Sequence, residues 1–225
     1  TTLSPPRVAG DLLLVLETSD QKNQPRMAWR YNPGIKRINR APEAAYDTPT
    51  VSSDGNQFYD QIDMFNGALD RYDWKLVGRK EMYIPYNSYR TASPKTKYAD
   101  MARPNHFNQE LARYEKHRVW VVEATLRSGT RHTFAKRTFY LDEDSWAISA
   151  IDSYDVRGQL FKFQEAHQAF FTNVQAVGGL PELIYDFNSG RFFVTALANE
   201  DKSNDWSVRY DDNFFDSTAL RRASR

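Results

Sequence analysis

The residues able to do chemistry are few, and their spacing argues against a catalytic centre. Four histidines, His106, His117, His132 and His167, are the only imidazoles, and there is no cysteine. Disulfides, thiolate metal sites and cysteine nucleophiles are therefore excluded. No histidine pair has the i, i+4 or short-loop spacing of a zinc site, and no His-Glu-x-x-His occurs. His117 and His132 could meet across a connection through Ser128-Gly129, but two imidazoles without a third ligand make a poor site. Asp142-Glu143-Asp144 and the pair Asp152 and Asp155 lack the ligand order and central glycine of a calcium loop. Asx residues in hairpin turns cap their own backbone. The expectation is no bound metal and no cofactor. Glu123, Glu165 and Asp186 could supply paired carboxylates for glycoside hydrolysis, a chemistry that depends on their separation. Gly178-Gly179 and Ser128-Gly129 match no phosphate-cradling loop, and no nucleophile elbow is present. No catalytic residue is assigned.

The elements that must position these side chains read as strands. Thr133 to Leu141 is aromatic and β-branched, Asp142 to Ser145 is a polar turn, and Trp146 to Tyr154 returns as a second strand. Asp155-Val156-Arg157-Gly158 turns again, and a third strand starts at Leu160 and runs towards Phe171, although Gln159 to Ala169 also fits helical spacing. His117 to Leu126 precedes the hairpin, and Asn188-Ser189-Gly190 separates two further strands, Glu182 to Phe187 and Arg191 to Ala198. Earlier, Asp11 to Thr18 reads as a strand buried on both faces, Met27 to Tyr31 alternates, and Lys36 to Arg40 suits a sheet edge. Ala41 to Asp73 is the least regular stretch, with a short helical turn expected to end at Gly67. Strand character returns at Trp74 to Val77 and Lys80 to Ile84. Gln109 to Glu115 could form one or two helical turns, and Ser217 to Arg225 suits a short basic helix capped by Asp216 or Ser217.

Apolar side chains fall in stripes along these strands: Trp120, Val122 and Leu126; Phe139 and Leu141; Trp146, Ile148 and Ala150; Phe161 and Phe163; Leu183, Tyr185 and Phe187. A sheet with one aromatic-rich face covers it with its own chain or leaves a cavity. The aromatic share is high at 14%, with 14 Phe, 13 Tyr and 5 Trp. Net charge is +1, from 30 basic and 29 acidic residues mixed along the chain. That balance gives no electrostatic case for nucleic acid or an anionic membrane surface. The run Leu12 to Leu16 is too short to span a bilayer. Thr1-Thr2-Leu3-Ser4-Pro5-Pro6 lacks the features of a signal peptide, so the chain reads as a mature or trimmed product.

Several phrases carry a resemblance. They include Thr18-Ser19-Asp20-Gln21, Ala28-Trp29-Arg30-Tyr31-Asn32-Pro33-Gly34, Asp63-Met64-Phe65-Asn66-Gly67, Asp70-Arg71-Tyr72-Asp73-Trp74-Lys75, Tyr86-Asn87-Ser88-Tyr89 and Ala135-Lys136-Arg137-Thr138-Phe139-Tyr140. With the meander from His132 to Gly158, they resemble a proteobacterial family of the outer-membrane lipoprotein-sorting type. The resemblance implies a lipoprotein-carrier-like fold and a periplasmic or outer-membrane-associated protein that serves an exporter. Full members look about twice as long, so the chain is similar to their C-terminal part. No catalytic residue comes with the family.

The resulting expectation is an all-β fold with minor α: a curved antiparallel sheet or half-barrel, with short helices and long covering loops. Residues 1–225 form a single β-rich domain. The function expected is a non-enzymatic binder of a lipid or other hydrophobic molecule, with an inner-membrane exporter as partner and no nucleic acid. Trp29, Trp74, Trp120, Phe139, Trp146, Phe161 and Tyr185 are the expected lining. Asp63 to Trp74 is the expected lid, with Asp63, Phe65, Asn66, Gly67 and Tyr72 at its centre. A periplasmic glycan hydrolase and a structural adaptor to an exporter remain the alternatives.

Overall fold

A computed structural model describes residues 6, 9–42, 44–51, 53–202 and 205–223. The first five residues, and Ser224 and Arg225 at the end of the expected C-terminal helix, lie outside the described residues. The chain falls into two compact units, one of Thr1–Asp60, Gly67–Leu69 and Asp205–Arg225, the other of Gln61–Asn66 and Asp70–Asn204.

In the first unit, strands β1 (Leu12–Leu16), β2 (Met27–Asn32) and β3 (Arg37–Arg40) form an antiparallel sheet in that order. Leu12 pairs with Tyr31 and Leu14 with Trp29, so one face collects apolar side chains. Leu220, from the short helix at Ala219–Ala223, closes over them. β1 is not buried on both faces as its apolar run suggested, since Leu13 points the other way and is 40% exposed. The second parity is covered only in part: Ala28, paired with Val15, is buried, whereas Leu13 meets solvent. β3 is the expected edge. Asn32 shapes the turn between β2 and β3, its Oδ1 accepting from the Gly34 amide at 2.9 Å. The Asp216 side chain caps the C-terminal helix, accepting from the Ala219 amide at 2.9 Å. In place of the helical turn expected at Gly67, 3-10 turns occupy Tyr59–Gln61 and Leu69–Arg71.

The second unit is built on nine strands, seven of them in one large sheet. In chain order these are β4 (Tyr72–Pro85), the two-residue pair β5 (Ala102–Arg103) and β6 (His106–Phe107) that forms a separate ribbon, and then β7 (Tyr114–Leu126), β8 (Lys136–Asp142), β9 (Ile148–Tyr154), β10 (Leu160–Phe171), β11 (Ala176–Asp186) and β12 (Arg191–Thr195). The large sheet runs β12-β11-β10-β9-β8-β7-β4, every neighbour antiparallel. It is open and uncurled, with helix confined to short pieces. The two segments expected around Val77 are one strand, because a bulge between Leu76 and Gly78 absorbs the break. Gly78 sits there at φ +143, which a side chain rarely adopts. Gln159 to Ala169 is strand rather than helix, as the polar turn before it implies. The helical turns expected over Gln109 to Glu115 shrink to a 3-10 turn at Gln109–Leu111, since Tyr114 and Glu115 already pair in β7.

Register assigns the faces, because directly paired residues project to the same side. One row reads Leu76, Val122, Phe139, Ile151, Gln164, Ile184 and Phe193. Tyr72, Trp74, Ala124 and Ala166 share this first face and pack with Met64. The opposite face buries Ile84, Val119, Tyr140 and Ala150 in one group, and Leu183 with Met101 and Phe107 in another. The excursion between β4 and β7 covers that second group. Two expected stripes are broken by bulges. Ile148 pairs with Leu141 on the first face, whereas Ala150 pairs with Tyr140 on the second. Trp146 is no strand residue at all: it sits in the turn at φ +60 and is 65% exposed.

Candidate functional site

The first face of the large sheet has an apolar half and a mixed half, where polar side chains stand beside Ala166 and Ile184. On β4, β7, β8 and β9 it presents Tyr72, Trp74, Val122, Phe139 and Ile151. On β10 and β11 it presents Lys162, Gln164 and Glu182. Onto this surface folds the short segment Gln61–Asn66. Met64 is buried in the apolar half. Phe65 meets Trp74 and Phe139 edge-on, with ring centroids 5.6 and 5.4 Å away. Trp74 and Phe139 themselves lie 5.3 Å apart. The buried guanidinium of Arg137 stacks over Phe134 at 4.3 Å and over Phe65 and Tyr72 at 5.6 Å. Such cation–ring contacts strengthen when water is excluded.

Polar contacts from the other half hold the segment's backbone. Gln61 Nε2 donates to Gln164 Oε1 at 2.8 Å, and Gln164 Nε2 donates to the Met64 carbonyl at 3.1 Å. The Met64 amide donates to Glu182 Oε2 at 3.2 Å. Burial pushes the Glu182 carboxyl up to about 7, with the charge of Asp63 adding to the shift and the Met64 hydrogen bond opposing it. Asp63 and Met64 both have positive φ, 51 and 65. Two consecutive non-glycine residues in that region carry backbone strain, which their contacts must offset.

The expected lining residues do not share one surface. Trp74 and Phe139 form the floor just described. Trp120 lies on the same face further along β7, stacked on Trp146 at 6.0 Å and beneath Arg79 at 4.8 Å. Phe161 is buried 5.5 Å from Phe134. Tyr185 projects to the opposite face between Phe163 and Phe192. Trp29 belongs to the first unit, packed against Leu12 and Tyr31. Of the lid residues, Asp63, Phe65 and Asn66 lie in the covering segment, Tyr72 opens β4, and Gly67 falls in the first unit. Gln61, Gln164, Glu182 and Arg137 were missed by sequence reasoning. For Gln164 the available signal was the alternation Phe161-Lys162-Phe163-Gln164, and no comparable pattern marks Gln61, Arg137 or Glu182.

The histidines do not meet either. His132 packs on Tyr72 and Phe134 and accepts from the Phe134 amide at 3.0 Å. His117 stacks on Tyr86, near the opposite end of β7, about 30 Å of strand away. The three carboxylates considered for hydrolysis do not converge. Glu123 pairs with Lys136 at 2.8 Å and Asp186 with Lys162 at 3.6 Å on the other face. Glu165 shares the side of Glu123 but lies three strands across, about 14 Å, beyond the separation glycosidases use.

An open, wholly antiparallel sheet with part of one face covered by a short segment places this chain among open antiparallel β-sheet proteins. Residues 1–221 match the family described as "Protein of unknown function (DUF1329)", and the chain belongs to that family. It is 47% identical over 220 residues to an uncharacterised protein of Pseudomonas aeruginosa, covering 97% of this chain and 48% of that protein. The chain thus spans about half the length of the curated relative it matches. A DUF1329 family protein from Desulfovibrio piger superposes with a TM-score of 0.63 at 18% identity, covering 97% of this chain and 74% of that one. A Vibrio parahaemolyticus domain described as an outer membrane lipoprotein-sorting protein gives 0.56 at 14%, covering 98% and 75%. At these identities the structures speak to fold alone.

Proposed function

We propose that this protein is a non-enzymatic binder of a lipid or similar hydrophobic molecule, acting in the periplasm or at the outer membrane in support of an exporter. The ligand takes the place that Met64 and Phe65 hold on the first face. The observation that carries this reading is the cover itself, an apolar floor closed by a short strained segment held through a few hydrogen bonds. Burying Met64 and Phe65 contributes about 1.5–3 kcal/mol each. An acyl chain gains about 0.8 kcal/mol per methylene, so roughly eight methylenes offset their loss. The alkyl chain then lies over Trp74, Phe139 and Ile151, and its polar end meets Gln164, Glu182 and Lys162. The lipoprotein-sorting description of the Vibrio domain agrees with this reading. Among the described residues no helix is long and apolar enough to cross a membrane.

The test is a titration of the purified protein with a fluorescent fatty acid. Saturable uptake is expected, weakened at least tenfold in Phe139→Asp and Trp74→Asp and unchanged in Trp29→Tyr, with folding checked by circular dichroism. Well-folded wild type that binds no probe across several lipid classes would overturn it in favour of the adaptor reading.

A further inference from the structure

We propose that His117, Asp142 and Asp144 bind one divalent ion of the zinc class, with coordination positions left open to solvent. Register brings them together where sequence spacing gives no sign of it. Val119 of β7 pairs with Asp142, the last residue of β8. His117, two residues before Val119, therefore projects from the same face one step further along. Asp144 follows in the turn. One ligand atom from each residue lies within 4.8 Å of the others. Asp142 Oδ1 is 3.2 Å and Asp144 Oδ2 3.9 Å from His117 Nδ1. Two ligands on a tetrahedral zinc at about 2.0–2.2 Å stand roughly 3.3–3.5 Å apart, so the two distances bracket the requirement.

What points to an ion is the state of Asp142. This carboxylate is fully buried. Its Oδ2 accepts from the Ser145 amide at 2.8 Å and the Ser145 hydroxyl at 2.6 Å. Its Oδ1 accepts no hydrogen bond, even with an imidazole nitrogen 3.2 Å away. A buried carboxylate oxygen aimed at a ring nitrogen without bonding to it is placed as two ligands of one ion are placed. A buried anion of this kind needs a partner.

The surroundings match an outer shell as well. His117 Nε2 faces Glu115 Oε2 at 3.7 Å, longer than a hydrogen bond, which leaves a carboxylate beside the second ring nitrogen. Glu115 is held in turn by Asn87 at 2.8 Å and Arg113 at 3.1 Å. Tyr86 stacks on the imidazole with centroids 4.0 Å apart and fixes its plane. A cavity of about 490 Å³ bordered by Tyr86, Asp144, Ser145 and Phe170 opens beside the carboxylate of Asp144 and gives room for water ligands. One nitrogen and two oxygens suit zinc or its neighbours. Calcium requires six to eight oxygens. This proposal departs from the expectation of no metal drawn from histidine spacing.

The experiment is isothermal titration of purified protein, stripped with chelator, using Zn²⁺, Mn²⁺ and Ca²⁺ in separate runs. One Zn²⁺ per chain is expected, bound at least about 100-fold more tightly than Ca²⁺. His117→Gln should weaken Zn²⁺ by about 100-fold and Glu115→Gln by about tenfold. Asp144→Asn should weaken it by about tenfold. The Asp144 side chain is 78% exposed, so this variant decides the matter if the buried ones fail to fold. His106→Gln, an exposed histidine outside the cluster, should change nothing. Absence of one-to-one Zn²⁺ binding, or binding that Asp144→Asn leaves intact, overturns the site.

Discussion

Glu182 should make the cover over the first face sensitive to pH. Its carboxyl is raised from an ordinary 4.5 to about 7, by burial first and then by Asp63. Below pH 4.5 the group is protonated whether the chain is folded or not. Between 4.5 and 7 the folded chain holds the proton and the unfolded chain has lost it, so stability falls as pH rises through that window and levels off above 7. Each pH unit corresponds to 1.36 kcal/mol, giving an upper bound of about 3 kcal/mol. Burial imposes the penalty on the charged carboxylate, while the Met64 amide that donates to it favours the charge, so ionisation is relieved only when the cover lifts and water reaches Glu182. Exchange at that amide reports it directly. Corrected for intrinsic chemistry, its opening equilibrium should rise about 10²-fold from pH 5 to pH 8. Glu182→Gln keeps a carbonyl acceptor and removes the charge, so the rise should vanish while protection at pH 5 persists. Equal protection of the wild-type amide at both pH values, or an unchanged rise in Glu182→Gln, would refute the reasoning.

Three further outcomes follow from the packing. Phe65→Ala should loosen the cover and strengthen uptake of a fluorescent fatty acid, and weaker uptake in this variant would argue that Phe65 is a wall of the site. Phe139→Ala should lose about 3–5 kcal/mol in urea denaturation, whereas Trp146→Ala, mostly exposed in its turn, should stay within about 0.5 kcal/mol. Gly78→Ala should cost about 1 kcal/mol or more, because the bulge at φ +143 admits a side chain only with strain.

Much of the strand order was legible because hairpin turns are local. Asp142 to Ser145, Asp155 to Gly158 and Asn188 to Gly190 each announce a reversal, and β8 to β12 follow from them as nearest neighbours. The bulges were not legible. The chain carries no mark that Phe161 and Ser149 would be extra residues, so the stripes read through them changed face, while Trp146 fell in the turn and Tyr185 projected to the opposite side. The core of the candidate site was half visible. Trp74, Phe139 and Phe65 were found because aromatic residues stand out. Gln164, Glu182 and the cluster at His117 depend on register between strands distant in sequence, which periodicity within one strand does not encode.

The order of the large sheet also dictates how it assembles. From β8 to β12 each strand pairs with the one made just before it, across short connections, so these hairpins zip with little loss of chain entropy. β4 is different. It pairs with β7 only after the chain has travelled from Tyr86 to Arg113 and back, and each doubling of a loop adds about 0.6 kcal/mol to its closure. That longer closure favours β4 docking after the hairpins, onto the edge that β7 presents. Tyr72 and Trp74 arrive with it, so the aromatic floor is incomplete until β4 has paired. A protein folding after export would expose β7 as a free edge for that interval. The alternating charges Glu115, Lys116, Arg118 and Glu123 along that strand are suited to keeping the edge from pairing with a second chain.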